Sequence, residues 1–234
     1  MIITIDGPVA SGKSSVARAL ARELKSYYLY TGLLYRAVAH VLLDRLKKEK
    51  TRRPFLPEFQ EYVEELGPDQ LEFVSDLCYD YGKDDDGDRP YLFYLGEEIT
   101  HDLYSSELDQ PASIVSANKH VRDALLDLQR DVAKRYDIVA DGRDCGTVIF
   151  PQAEHKFYLT ASPEVRAQRL MLDEKRGPLQ KDIEKVEAEL EQRDKRDRER
   201  SVAPLTIPED ATIIDNSELT LQETVNRFLR AIGS

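Results

Sequence analysis

The run Gly7-Pro8-Val9-Ala10-Ser11-Gly12-Lys13-Ser14 matches the pattern G-x-x-x-x-G-K-[ST] in full. Each residue type in it suits the handling of a polyphosphate. Glycines let the backbone curl around phosphate oxygens, the amide groups converge on the anion, and a helix starting behind the loop adds the partial positive charge of its N-terminus. Lys13 is expected on the β- and γ-phosphates of ATP, Ser14 on Mg²⁺ through its hydroxyl, and Ser15 on the α-phosphate. The same loop serves switches, ATPases, metabolite kinases and nucleotide kinases, so the reaction must be read from other residues.

A second concentration of chemistry lies late in the chain, at Arg193-Asp194-Lys195-Arg196-Asp197-Arg198-Glu199-Arg200. On a helix, Arg193, Arg196, Asp197 and Arg200 fall three and four apart and share one face, three cations around one acid. Glu191 with Lys195, Asp194 with Arg198 and Lys195 with Glu199 are opposite charges four apart and read as solvated salt bridges. Like charges on a surface stripe repel, whereas phosphates or a phosphoryl transition state reward them. Asp141 closes the apolar run Ile138-Val139-Ala140, where a strand-end carboxylate can hold Mg²⁺ through water. Arg143 and Asp144 follow, set either for a ligand or for each other. Arg166, Arg169, Lys175 and Arg176 fit two arrangements: a mobile lid that closes over ATP, with Arg166 among its contacts, or an exposed helical hairpin.

Positioning these groups takes a sheet with helices on both faces. Five apolar runs read as core strands, at 2–6, 27–30, 136–140, 156–160 and 212–215. Between the first two, Val16, Leu20 and Leu24 recur every four residues and predict a helix from about Lys13. Continuous apolar strands with helical crossovers imply an α/β fold of the P-loop NTPase type, a doubly wound five-stranded parallel sheet. Residues 67–100 break the rhythm: 71–77 and 91–95 read as strands of an inserted β-hairpin, joined through the acidic run 83–88, which reads as a solvated turn. From Pro111 one long helix is expected to carry Ile114, Val115, Val121, Leu125 and Leu128. The expected division is a core of 1–30 and 136–234, with a helical lid at about 165–190, and an acceptor-binding region of 31–135.

Across its 234 residues, a formal charge of −11 argues against nucleic acid or membranes as partners, because a phosphate-coated surface would be repelled overall. Any anion must meet a local basic site. Cys78, Cys145 and the four histidines stand in no metal-ligand or redox spacing, so neither zinc nor disulfides are expected. The opening Met1-Ile2-Ile3-Thr4-Ile5-Asp6 has no signal-peptide layout, and a cytoplasmic monomer is the expectation.

Four segments in order, Tyr30-Thr31-Gly32-Leu33-Leu34-Tyr35-Arg36, Asp141-Gly142-Arg143-Asp144-Cys145-Gly146-Thr147, the arginine run 193–200, and Ser201-Val202-Ala203-Pro204-Leu205, resemble the bacterial cytidylate kinases along nearly the whole chain. The resemblance implies transfer of the γ-phosphate of ATP, with Mg²⁺, onto CMP or dCMP. It implies contacts of Arg36, Arg143 and Arg200 with the acceptor phosphate, of Thr31, Ser113, Arg122 and Asp144 with cytosine, and of Arg193 with Asp197 near the sugar. Arg196 would then face the transferring phosphoryl. Tyr30 departs from the pattern, standing where the family often has aspartate. The competing readings are a P-loop kinase for another acceptor, such as UMP, AMP or a small metabolite, and a nucleotide-dependent switch.

Overall fold

Ile3, Ile5, Val139, Ala140 and Leu159 are fully buried, and the strands that carry them form the middle of a five-stranded sheet. The computed structural model describes residues 1–50, 54–84, 87–172 and 182–233. The chain divides into two compact units, Met1–Leu29 with Tyr136–Ser234, and Tyr30–Arg135.

In the first unit, β1 (Ile2–Asp6) lies between β6 (Ile138–Gly142) and β7 (His155–Thr160), parallel to both. The order is β2-β6-β1-β7-β8, with β2 (Tyr27–Tyr30) and β8 (Thr212–Asp215) at the edges. Parallel strands end at the same edge, so the segments after Asp6 and Gly142 leave the sheet side by side, as the register Asp6 opposite Gly142 requires. Behind the first of them, α1 (Lys13–Glu23) buries Val16, Ala17, Leu20 and Ala21. α6 (Pro163–Met171) starts on a sound cap: Ser162 Oγ accepts from Val165 N at 3.3 Å, and Pro163 stands where no amide donor is needed. α7 spans Ile183–Glu199, and the amphipathic α8 spans Leu221–Ile232 with its own Thr220/Glu223 capping box. The expected lid residues Lys175 and Arg176 lie outside the described residues.

The second unit starts with α2 (Thr31–Lys50), directly after β2. α3 (Leu56–Glu64) follows, then a three-stranded antiparallel sheet of β3 (Leu77–Asp84), β4 (Gly87–Tyr94) and β5 (Glu97–Glu98), then α4 (Asp109–Val115) and α5 (Lys119–Arg135). The hairpin expected over 67–100 exists, but its first strand begins at Leu77. Residues 68–76 form a 3₁₀ helix instead, because Pro68 fits a helical first turn and the Gln70 side chain accepts from Gly67 N at 2.9 Å, closing that turn. The tip of the acidic run, 85–86, lies outside the described residues.

The single helix expected from Pro111 is two. Asn118 divides them: its Oδ1 accepts from Val121 N at 3.1 Å as an N-cap for α5, and its Nδ2 donates to Val63 O at 2.7 Å. Among the described residues no helix is long and apolar enough to cross a membrane.

Candidate functional site

The glycine loop lies directly on the sheet. Gly7 has φ 151°, and a Cβ there would stand 2.1 Å from the carbonyl oxygen of Leu159 on β7, so only glycine fits. Gly12 caps α1 at φ 91°, and Ala10 adopts the left-handed region at φ 59°. The buried Lys13 Nζ donates to Pro8 O at 2.5 Å and to Ser11 Oγ at 3.4 Å. Burial, and then the neighbouring Arg143, push its ammonium pKa well below the usual lysine range. Ser15 is exposed at the start of α1.

The end of β6 meets the start of α1. Ser14 Oγ donates to Asp141 Oδ2 and Tyr28 OH to Asp141 Oδ1, both at 2.8 Å. Burial raises the Asp141 carboxyl above its ordinary pKa, against the opposing pull of Lys13. Hydroxyl and carboxylate are hard oxygen donors, and the pair suits a Mg²⁺ ion that takes its remaining ligands from water and phosphates. No cluster of three or more His, Cys, Asp or Glu residues that could hold a metal unaided occurs among the described residues.

Two guanidinium–carboxylate pairs cross between the segment after β6 and the end of α7. Arg143 Nε donates to Asp197 Oδ2 at 2.7 Å, and Arg200 Nη2 donates to Asp144 Oδ1 at 3.3 Å. Arg143 therefore pairs across the two segments, not with its neighbour Asp144. Burial opposes the charge on Asp197, yet Arg143, Arg193 and Arg200 together hold its carboxyl below the usual range. Arg200 stands at the C-cap of α7 with ψ 140°, one residue past the helix, and its Nε donates to Ala203 O at 2.6 Å. Of the four residues expected to share one helical face, Arg200 thus lies past the helix, delivered by the turn that follows. Arg193 is partly buried on α7 and Arg196 is exposed.

Asp194 corrects the sequence reading more sharply. Expected in a solvated pair with Arg198, it is 1% exposed and bound to Arg166 and to Val9 N, at 3.0 Å for the latter. Arg166 is buried as well and donates to Val9 O at 3.1 Å. Arg169 donates to Ser11 O at 3.2 Å and to Asn216 Oδ1 at 2.9 Å, and Asn216 Nδ2 donates to Ser11 O at 3.1 Å. Val9 and Ser11, expected at the phosphates, thus turn their carbonyl oxygens to arginines of α6.

Asp6 was also missed. Fully buried at the end of β1, it accepts from Cys145 N at 2.8 Å and Gly146 N at 2.7 Å. It thereby ties the segment carrying Arg143 and Asp144 to the strand that carries the glycine loop. Burial pushes its pKa up to about 6. Its signal in the sequence was a charged residue inside an apolar strand; Asp194 and Asn216 left none, since only tertiary contact brings them to the loop.

In the second unit, Thr31 is buried at the start of α2, and Arg36 donates to Leu103 O and Ser105 O, each at 3.0 Å, and pairs with Asp109. Arg122 is buried on α5, stacked 5.3 Å over the Tyr35 ring and donating to Ser116 O at 3.1 Å. Ser113 lies on α4, its carbonyl accepting from Ser116 Oγ at 2.8 Å. The Tyr30 ring packs over Gly32, where a Cβ would come within 2.7 Å of it.

Comparison with known sequences returns cytidylate kinases. A family model described as cytidylate kinase matches residues 3–234. A cytidylate kinase of Thermodesulfovibrio yellowstonii is 36% identical over 232 residues, covering 99% of this chain and 97% of the relative. One from Chlamydia trachomatis serovar D is 38% identical over 237 aligned positions, covering 100% of this chain and 99% of the relative. Among solved structures, an uncharacterized protein from Eubacterium ventriosum superposes with TM-score 0.50 at 12% identity, covering 100% of this chain and 99% of that one; such a likeness speaks to the fold alone.

Proposed function

We propose that this chain, which belongs to the cytidylate kinase family and is by that membership a nucleoside monophosphate kinase, moves the γ-phosphate of MgATP onto CMP or dCMP. The observation that carries this reading is the crossed pairing of Arg143 with Asp197 and Arg200 with Asp144, in the same compact unit as the glycine loop.

The acceptor is a phosphate oxygen that is already anionic, so in-line attack needs no general base, and no serine, histidine or cysteine acts as one. What the reaction needs is alignment and an offset for charge. Lys13 supplies the nearest cation to the β- and γ-phosphates, and the burial that disfavours its charge makes an anion beside it correspondingly favourable. Ser14 and, through water, Asp141 hold Mg²⁺, whose charge draws the phosphates into one geometry. Arg143 and Arg200 grip the acceptor phosphate. Asp144 accepts from the exocyclic amine of cytosine, while Arg193 and Asp197 hold the sugar. A guanidinium already fixed by a carboxylate loses little freedom when a phosphate arrives, which is the value of the crossed pairs.

A coupled assay with MgATP against CMP, dCMP, UMP and AMP tests the reading: CDP or dCDP should form fastest. Lys13→Ala should lower kcat by about 10³-fold or more. Turnover of UMP or AMP ahead of both cytidylates would reject the assignment.

A further inference from the structure

We infer that Arg166 and Asp194 act as one positioning pair that holds the tip of the glycine loop, through Val9, in the shape that receives phosphate. The inference rests on the donor half of the proposed reaction and is independent of the acceptor.

Both polar backbone groups of Val9 are taken by this pair: its N–H donates to Asp194 Oδ1 at 3.0 Å, and its carbonyl accepts from Arg166 Nη1 at 3.1 Å. The same Nη1 binds Asp194 Oδ2, so the two side chains and one peptide residue close a ring of hydrogen bonds. The Val9 side chain is sunk beside Ala167 of α6 and Val186 and Leu190 of α7. The loop tip is therefore held by its amide, its carbonyl and its side chain at once.

A trans peptide places its C=O and the following N–H on opposite sides. Turning Val9 O to Arg166, and Ser11 O to Arg169 and Asn216, therefore points the Ala10 and Gly12 N–H groups away from those cations. Neither N–H has a hydrogen-bond partner among the described residues, which is the condition for donating to an anion. Between the two pinned carbonyls, Ala10 is held at φ 59°, a conformation a non-glycine residue keeps only when its neighbours are fixed. A desolvated ion pair adds little net stability over an apolar pair of the same size. Its geometric hold on Val9 is something no apolar pair could supply.

Three variants test the inference, by calorimetry with a non-hydrolysable MgATP analogue without CMP, by KM for each substrate, and by thermal melts. Asp194→Asn removes a negative charge close to an anion site, so simple electrostatics predicts tighter analogue binding. The clamp predicts binding weaker by about tenfold or more, with KM for CMP little changed. Arg166→Met should weaken the analogue similarly. The double variant Arg166→Met with Asp194→Leu replaces the pair by apolar groups and keeps the fold intact even if either single variant melts early. It should bind the analogue no worse than the poorer single variant, because all three break one device.

Tighter or unchanged binding in Asp194→Asn, or wild-type binding in the double variant, overturns the inference. A loss confined to Arg166→Met also overturns it, since Arg166 would then act on ATP directly. Weakened analogue binding in a protein that fails to phosphorylate CMP would leave the clamp standing and reject the acceptor assignment; wild-type analogue binding in variants of an active CMP kinase would do the reverse.

Discussion

The arginines of α6 and those around the end of α7 belong to one residue type put to opposite uses. Arg166 and Arg169 donate to backbone carbonyls of the glycine loop, at Val9 and Ser11, Arg166 while also paired with Asp194, itself bound to Val9 N. Arg143 and Arg200 turn to the carboxylates of Asp197 and Asp144. A carbonyl partner fixes the course of the chain and offers no net charge to exchange, so the first pair shapes the loop. A carboxylate partner holds a guanidinium in place and answers its charge, so the second pair can take part in a changing pattern of charge. Position relative to a phosphate motif does not tell an arginine that shapes the site from one that acts in it; a hold on the loop's own backbone does.

The acids divide in the same way. Asp197 faces guanidinium groups and its carboxyl stays below the usual range, while Asp6 accepts from two amides and burial pushes it up to about 6.

Replacing Arg200 should separate the two uses most strongly. Arg200→Ala removes a buried guanidinium from Asp144, a loss of about 3–5 kcal/mol in denaturant unfolding, together with a fall in kcat of about 10²–10³-fold. Arg200→Lys keeps the charge and should recover most of the stability while leaving kcat low, because an ammonium cannot reproduce the planar fork. Full activity in the lysine variant would erase the distinction drawn above.

Asp6 gives the next largest effect. The folded carboxyl, near 6, binds its proton more tightly than an unfolded one at 3.8. Asp6 therefore favours the folded state most at and below pH 3.8, and that contribution is gone once pH has risen past about 6. The stability of wild type relative to Asp6→Asn should fall by about 2 kcal/mol between pH 4 and pH 7, measured by urea titration at each pH. A flat difference would mean that the two amides suffice to hold the charge.

What the sequence disclosed follows the same division. The glycine loop, the edges of β1, β2 and β8 and the arginine run announce themselves by spacing along the chain, because a strand, a tight loop and a helix face are local objects. Asp194 does not: its spacing to Arg198 suggests a surface pair, and only the approach of α6 and α7 to Val9 reveals its partner. At Asn118 the apolar periodicity on either side hides the break, which the side chain makes by accepting from Val121 N. At 68–76, apolar residues at Leu71 and Phe73 mimic strand alternation, and the turn closed by Pro68 and Gln70 decides for 3₁₀ helix.

Two smaller effects probe the loop itself. Arg169→Ala should cost about 1–2 kcal/mol and raise KM for ATP more than KM for CMP, as expected of an arginine that holds Ser11 and Asn216. Ala10→Gly relieves the left-handed strain at φ 59° at the cost of backbone freedom in the unfolded chain, and should move stability by less than about 1 kcal/mol. A loss above that size would show that the Ala10 methyl, packed near Val9, matters more than its backbone.

Gly7 rests against Leu159 with no side chain between the two backbones. Nothing compressible separates the phosphate loop from the central strands, so the loop inherits the stiffness of the sheet. The place where the loop leaves β1 is set when β1 and β7 pair and persists for as long as they do, which makes the root of the anion cradle a property of the core, while its tip answers to α6 and α7.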